Sequence, residues 1–151
     1  MAKVNDEMIT VLLEGEHDPD KMRFLLVRKE LLPHLETGKY PYRIEVRWAY
    51  EGDGKGMPQE AVGAQMEAFE EALRPPMERN KLALLAYVST GEGLKEWCFY
   101  TRNLKAFGET LNAALADLPQ FPLSFEADED REGEMFREVL EIALDAAHDE
   151  D

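Results

Sequence analysis

Four short segments gather the residue types from which binding and catalytic sites are built. Gly52-Asp53-Gly54-Lys55-Gly56 falls between an expected strand and an expected helix, where phosphate loops lie. It lacks the Gly-Lys-Ser/Thr ending that supplies a lysine and a magnesium-binding hydroxyl, and it lacks the G-x-G-x-x-G spacing of a dinucleotide site. Glycines that only let the chain turn explain it equally well. Asp128-Glu129-Asp130-Arg131-Glu132-Gly133 has acids at positions one, three and five and glycine at six, as in the first half of a calcium loop. Val139 stands where the closing bidentate glutamate belongs, and Arg131 opposes a cation, so these acids read as caps for a following helix. Glu16-His17-Asp18-Pro19-Asp20 collects ligand-type side chains in one turn. His17, His34 and His148 nevertheless show no metal spacing, and polar turn chemistry accounts for the segment. Cys98 is the single cysteine, so neither an internal disulfide nor a cysteine-built zinc site can form. Between Trp97 and Phe99 it reads as a small buried residue. No catalytic, cofactor-binding or metal-binding residue is assigned, and a non-enzymatic protein without a cofactor is expected.

Charge is the strongest signal that remains. Seventeen basic against thirty-two acidic residues give a formal charge of −15 over 151 residues. A field of that sign repels nucleic acid and anionic membranes and attracts basic proteins, so no nucleic-acid or membrane partner is expected. Residues 128–151 carry eleven acids and two arginines, a net −9 that leaves −6 for the first 127 residues. Solubility alone does not require such concentration. The N-terminus shows no signal-peptide pattern, and no apolar run approaches the roughly 20 residues of a membrane helix, so a cytoplasmic location is expected.

The elements that must position these groups follow from periodicity. Met8–Leu13 and Phe24–Val27 are expected strands of a hairpin, and Leu31–Gly38, interrupted by Pro33, a loop or short helical turn. In the strand Tyr42–Tyr50, residues 42, 44, 46, 48 and 50 share one face. Arg43, Glu45 and Arg47 share the other, which is expected to meet solvent or a partner. Pro58 suits the first turn of a helix whose stripe is Val62, Met66, Phe69 and Leu73, with Glu60, Glu67, Glu70 and Glu71 facing water and Pro75-Pro76 as its end. Strands over Leu82–Val88 and Lys95–Thr101 flank a turn at Thr90–Gly93. A helix over Leu104–Leu118, a short strand Leu123–Glu126 and a C-terminal helix lined by Phe136, Val139, Leu140, Ala143 and Ala147 complete the chain. In the strand Lys95–Thr101, Trp97 and Phe99 face opposite to Cys98 and Tyr100, so one of those sets is open to exposure. From residue 42 the order is strand, helix, strand, strand, helix, strand. The expected fold is therefore α+β: a ferredoxin-like antiparallel sheet with two helices on one face, plus an N-terminal hairpin and a C-terminal acidic helix. One domain spans 1–151, with the hairpin and connection over 1–39, the core over 40–127 and the acidic helix and tip over 128–151.

Three sets of landmarks carry a family resemblance. They are Tyr40-Pro41-Tyr42 opening a strand that ends at Trp48, Gly56-Met57-Pro58 before an acidic helix, and the Thr90-Gly91 turn followed by Glu96-Trp97-Cys98-Phe99-Tyr100-Thr101. Over roughly residues 8 to 142 the chain resembles the bacterial domain of unknown function family 695. The resemblance implies a ferredoxin-like fold and an occasional neighbourhood with domains similar to regulator of ribonuclease activity B, an acidic protein inhibitor. It supplies no catalytic residues, and this chain departs from it in a longer acidic tail.

Two functional readings follow. The first is a domain that binds another protein with a basic surface, as an inhibitor or immunity-type protein against a basic toxin or as a regulator of a basic enzyme. Its contact residues would be Asp128, Asp130, Glu134, Glu138, Glu141 and Asp145. The alternative is a domain that binds a small molecule or phosphate ligand, or a cryptic enzyme, using Gly52, Gly54, Lys55 and Gly56.

Overall fold

The computed structural model describes residues 5–15, 17, 18 and 20–149, the last two by their backbone. Glu16, Pro19, the imidazole of His148 and the acidic tip fall outside that description. The chain runs β1 (Met8–Glu14), β2 (Met22–Arg28), α1 (Leu32–Glu36), β3 (Tyr42–Ala49), α2 (Glu60–Arg79), β4 (Ala83–Gly91), β5 (Leu94–Thr101), α3 (Leu104–Ala114), β6 (Leu123–Glu129) and α4 (Glu134–Asp149). The six strands form one sheet in the order β1-β2-β4-β5-β3-β6, antiparallel at every junction, which makes the fold α+β.

β3 sits between β5 and β6 because α2 carries the chain past β5 to β4, and α3 carries it back to the far side of β3. The β4–β5 hairpin turns at Glu92 and Gly93, whose φ values of 52° and 79° are the pair of left-handed residues that a tight two-residue turn needs. The expected N-terminal hairpin is present, and β2 pairs with β4, so it extends the same sheet.

Both faces of the central strands are buried. On one, Val46 and Trp48 of β3, Leu85 of β4 and Trp97 and Phe99 of β5 pack against Met66, Phe69, Leu73 and Met77 of α2 and Phe107 and Leu111 of α3. The Trp48 ring stacks on Phe121, with centroids 4.6 Å apart. On the other face, Val11, Leu25, Val27, Leu84, Cys98 and Tyr100 lie under Leu35 of α1 and Phe136 and Ala143 of α4. The two opposed sets in β5 are thus both buried, since each face has its own helical cover. A β-bulge between Leu85 and Tyr87 lets β4 present Ala86 and Tyr87 to the α4 side.

Several expectations shift at the boundaries. α2 does not end at Pro75-Pro76 but runs to Arg79. The carbonyls these prolines leave unbonded belong to Glu71, which is exposed, and Ala72, which is half-buried, so both can reach water while Met77 holds the last turn in the core. Pro58 precedes the N-cap Gln59 and lies outside the first turn. Leu32–Glu36 is a single helical turn with Pro33 at its start. α3 stops at Ala114, and β6 continues three residues past Glu126 because β3 supplies ladder partners as far as Tyr42.

Candidate functional site

Antiparallel pairing turns the alternation within β3 into rows across the sheet. Arg43 stands opposite Tyr100 on β5 and Asp128 on β6, Glu45 opposite Cys98 and Glu126, and Arg47 opposite Glu96 and Ser124. α4 packs over β1 and β2 of this face, leaving the β3–β6 side as the wall of a hollow. The charged face of β3 is therefore mostly enclosed: Glu45 is only 8% exposed.

The charges hold one another. Arg43 reaches Glu45 at 3.2 Å, Asp128 at 3.2 Å and Asp130 at 3.1 Å. Arg47 bonds Glu45 and Glu126, the latter at 2.6 Å, and lies 3.6 Å from Glu96. Glu45 is thus bracketed by two guanidinium groups, the condition under which a carboxylate tolerates burial. Burial opposes the charge of Arg43, but its hydrogen bond to Asp130 and the nearby Glu45 more than offset this and push its pKa up. Burial raises the pKa of Glu96 against the pull of Arg47.

Asp130 ties the network to α4. Its Oδ1 accepts the Glu134 N–H at 2.7 Å, and its Oδ2 accepts the Met135 N–H at 3.1 Å, the Tyr100 hydroxyl at 2.8 Å and an Arg43 N–H at 3.1 Å. The Tyr100 oxygen in turn accepts the Phe136 N–H at 3.1 Å. Three N-terminal amides of α4, groups with no partner inside the helix, are satisfied in this way. Burial alone would raise the pKa of Asp130; the Tyr100 hydroxyl, the two amides and Arg43 together hold it below the usual carboxylate value. The helix-capping reading of Asp128–Gly133 thus has its acceptor in Asp130. That same role corrects the expectation for Asp130 as a contact residue, because it is 8% exposed with its oxygens engaged.

The other five expected contact residues are exposed. Asp128 is paired with Arg43 at the sheet. Glu134, Glu138, Glu141 and Asp145, spaced four, three and four apart, form a single stripe of α4 about 16 Å long, opposite Phe136 and Ala143. Among the described residues none of these four has an ion-pair partner. The N-terminal half of the stripe borders a hollow of about 490 Å³ whose walls include Arg43, Glu129, Arg131, Met135, Glu134 and Glu138.

The glycine-rich loop is occupied from within. Asp53 Oδ1 accepts the N–H groups of Lys55 at 2.8 Å and Met57 at 3.1 Å, and the Gly56 N–H bonds the Asp53 carbonyl at 3.0 Å. The amides that would cradle a phosphate are taken by this carboxylate, whose pKa they lower. Lys21 bonds the Gly54 carbonyl, and Asp18 and Glu92 line the adjoining hollow of about 350 Å³, which further disfavours an anion.

Cys98 is fully buried, and burial pushes its pKa up, which keeps the thiol protonated and unreactive. His17 lies in the β1–β2 turn with its backbone N–H on Glu92, and His34 lies in α1, after the other end of β2. Glu70, expected to face water, accepts the Trp97 indole N–H at 2.8 Å. Among the described residues no three His, Cys, Asp or Glu side chains converge as metal ligands, and no helix is long and apolar enough to cross a membrane.

Sequence reasoning missed the Tyr100–Asp130–Arg43–Glu45 network. The alternation of β3 placed Arg43 and Glu45 together, but their pairing across to β6 depends on a register that only the fold sets. Compared with known proteins, residues 19–141 match the profile of a Family of unknown function (DUF695). No curated protein and no solved structure matches the chain.

Proposed function

The chain belongs to this family of unknown function, DUF695, and from that premise we propose that it is a non-enzymatic domain that binds a protein with a basic surface. The α4 stripe and the hollow beside it form the contact. The observation that carries this reading is the set of four carboxylates on one helical face that have no ion-pair partner among the described residues. Glu134–Glu138, Glu138–Glu141 and Glu141–Asp145 are like-charge neighbours three or four residues apart, each costing about 0.2–0.5 kcal/mol. That repulsion of roughly 1 kcal/mol is met by no direct ion pair among the described residues, and a cationic partner would convert it into attraction. On the sheet side of the hollow Arg43 holds Asp130 at 3.1 Å, so that carboxylate is already engaged.

Within this class an inhibitor or immunity-type role fits best, because toxins and enzymes that act on nucleic acid present basic surfaces to phosphate. Such a partner would associate quickly and with strong salt dependence. The test is capture of partners from the native host by the wild-type chain and by Glu134→Lys/Glu138→Lys/Glu141→Lys, across a salt series. The expected result is a basic partner, released as salt rises and bound at least tenfold more weakly by the variant. The three lysines repel one another at the same spacing and the one at position 134 opposes the positive end of α4, so a modest fall in Tm is expected, and a thermal melt shows that the variant is folded under the binding conditions. A partner held equally by both proteins at high salt would refute the reading.

A further inference from the structure

β6 closes one end of the sheet, and its outer side has no strand beside it among the described residues. The Asp130 N–H bonds the Pro41 carbonyl in the same register that pairs Tyr42 with Glu129. Alternation in an antiparallel ladder then directs the backbone groups of 124, 126 and 128 toward β3. Those of Phe125, Ala127 and Glu129 point outward.

Two hollows follow this edge on the α3 side, the first largely apolar and the second bordered also by Asn112 and Gln120. One, of about 250 Å³, lies between Phe125, Ala127, Leu104, Phe107 and Leu111; the next, of about 390 Å³, lies between Phe125, Leu123, Phe121, Leu115 and Leu118. Phe125 divides them and is 49% exposed, and Leu104 is 37% exposed. The opposite side of the same strand carries Glu126 and Asp128, paired with Arg47 and Arg43. In that network five carboxylates (Glu45, Glu96, Glu126, Asp128 and Asp130) outnumber two guanidinium groups, so that face keeps an excess of negative charge, and β6 itself has no basic residue.

We infer that β6 is a strand-addition site for an extended segment of a partner protein in which apolar and basic residues alternate. Apolar side chains of the added strand would enter the α3-side hollows. Basic ones would face Glu126 and Asp128, and the outward amides and carbonyls of Phe125, Ala127 and Glu129 would complete the ladder. A second copy of this chain is a poor occupant. An antiparallel β6–β6 pair centred on Glu126 sets the two Glu126 side chains face to face, and one centred on Ala127 sets Glu126 against Asp128. This inference rests on the reading that the partner is basic, but it concerns the far edge of the sheet and is tested without reference to α4.

The probe is a blocked nine-residue peptide alternating lysine with valine. The control has the same composition with all lysines at one end. The alternating peptide is expected to bind at least tenfold more tightly, and to slow hydrogen exchange at the amides of Phe125, Ala127 and Glu129. Ala127→Pro removes one outward N–H without touching the β3 ladder, and Phe125→Asp spoils the apolar side; each should cost at least tenfold in affinity. Thermal melts show whether either variant has lost its fold, and the exchange measurement on the wild type stands independently of both. Equal binding of the two peptides, or full binding by a folded Ala127→Pro, overturns the inference. If the α4 triple variant still fails to bind its partner in that case, the reading of α4 survives alone. Dimerisation of the unliganded chain that Ala127→Pro abolishes would also overturn it, by making a second copy the occupant.

Discussion

Removing the Asp130 carboxylate should be among the most damaging single changes outside the apolar core. Asp130→Ala strips the acceptor from two α4 amides, from the Tyr100 hydroxyl and from one Arg43 N–H. Losing a helix cap costs about 1 kcal/mol. Leaving a buried hydroxyl donor without its acceptor costs about 1–3 kcal/mol. Arg43 keeps Glu45 and Asp128, so the full penalty of a stranded buried charge is avoided. The total is about 2–4 kcal/mol, which in a chain of this size lowers Tm by roughly 10 °C. Asp130→Asn retains an acceptor oxygen for the cap and should lose about half as much. The assay is thermal and urea unfolding followed by circular dichroism between pH 2 and 8. A carboxylate whose folded pKa is depressed contributes stability that is complete above its unfolded pKa, about 4, and is lost as pH falls through the lower folded value. The gap between wild type and Asp130→Asn should therefore be constant from pH 5 to 7 and shrink below about pH 4. A Tm change under 2 °C for Asp130→Ala, or a gap that widens in acid, would refute the reasoning.

Two further outcomes test how the fold is held. Gly133→Ala should destabilise by about 2–3 kcal/mol in urea melts, because its φ of 73° disfavours any side chain and a new Cβ would lie 2.8 Å from Leu35 Cδ1; a neutral result would mean that the α1–α4 contact is slack. Burial raises the pKa of Tyr50, Tyr87 and Tyr100, Tyr50 to about 12, so their neutral forms contribute stability that is present below pH 10 and lost as pH rises further. Tyrosinate absorbance from these three should accordingly appear together with loss of the far-ultraviolet signal, and their reversible titration near pH 10 with the fold intact would contradict this.

Local pattern made much of the architecture legible. Alternation identified β3 without ambiguity, since Arg43, Glu45 and Arg47 interrupt four apolar or aromatic neighbours at a period of two. Helical spacing located the buried stripes of α2 and α4, and the acidic face of α4 was visible as four acids recurring at helical intervals. Proline and glycine were weaker guides. Pro75-Pro76 looked like a stop, but propensity yields when the residue beyond, Met77, has a place in the core. The last three residues of β6, Ala127-Asp128-Glu129, have little strand propensity and are held by the ladder to β3.

The clustering of net charge on the last helix, the lone cysteine and the element order were determined by the sequence itself, because each depends on composition or on spacing within one segment. Which charges are spent and which are free was decided by the tertiary structure. Asp130 and Glu134 are four residues apart and chemically alike, yet one is buried as the cap and hydrogen-bond acceptor that joins α4 to the sheet, and the other faces the hollow with no ion-pair partner among the described residues. Strand register, with residues 87 positions apart brought into one ion pair, makes that distinction, and no local pattern encodes it.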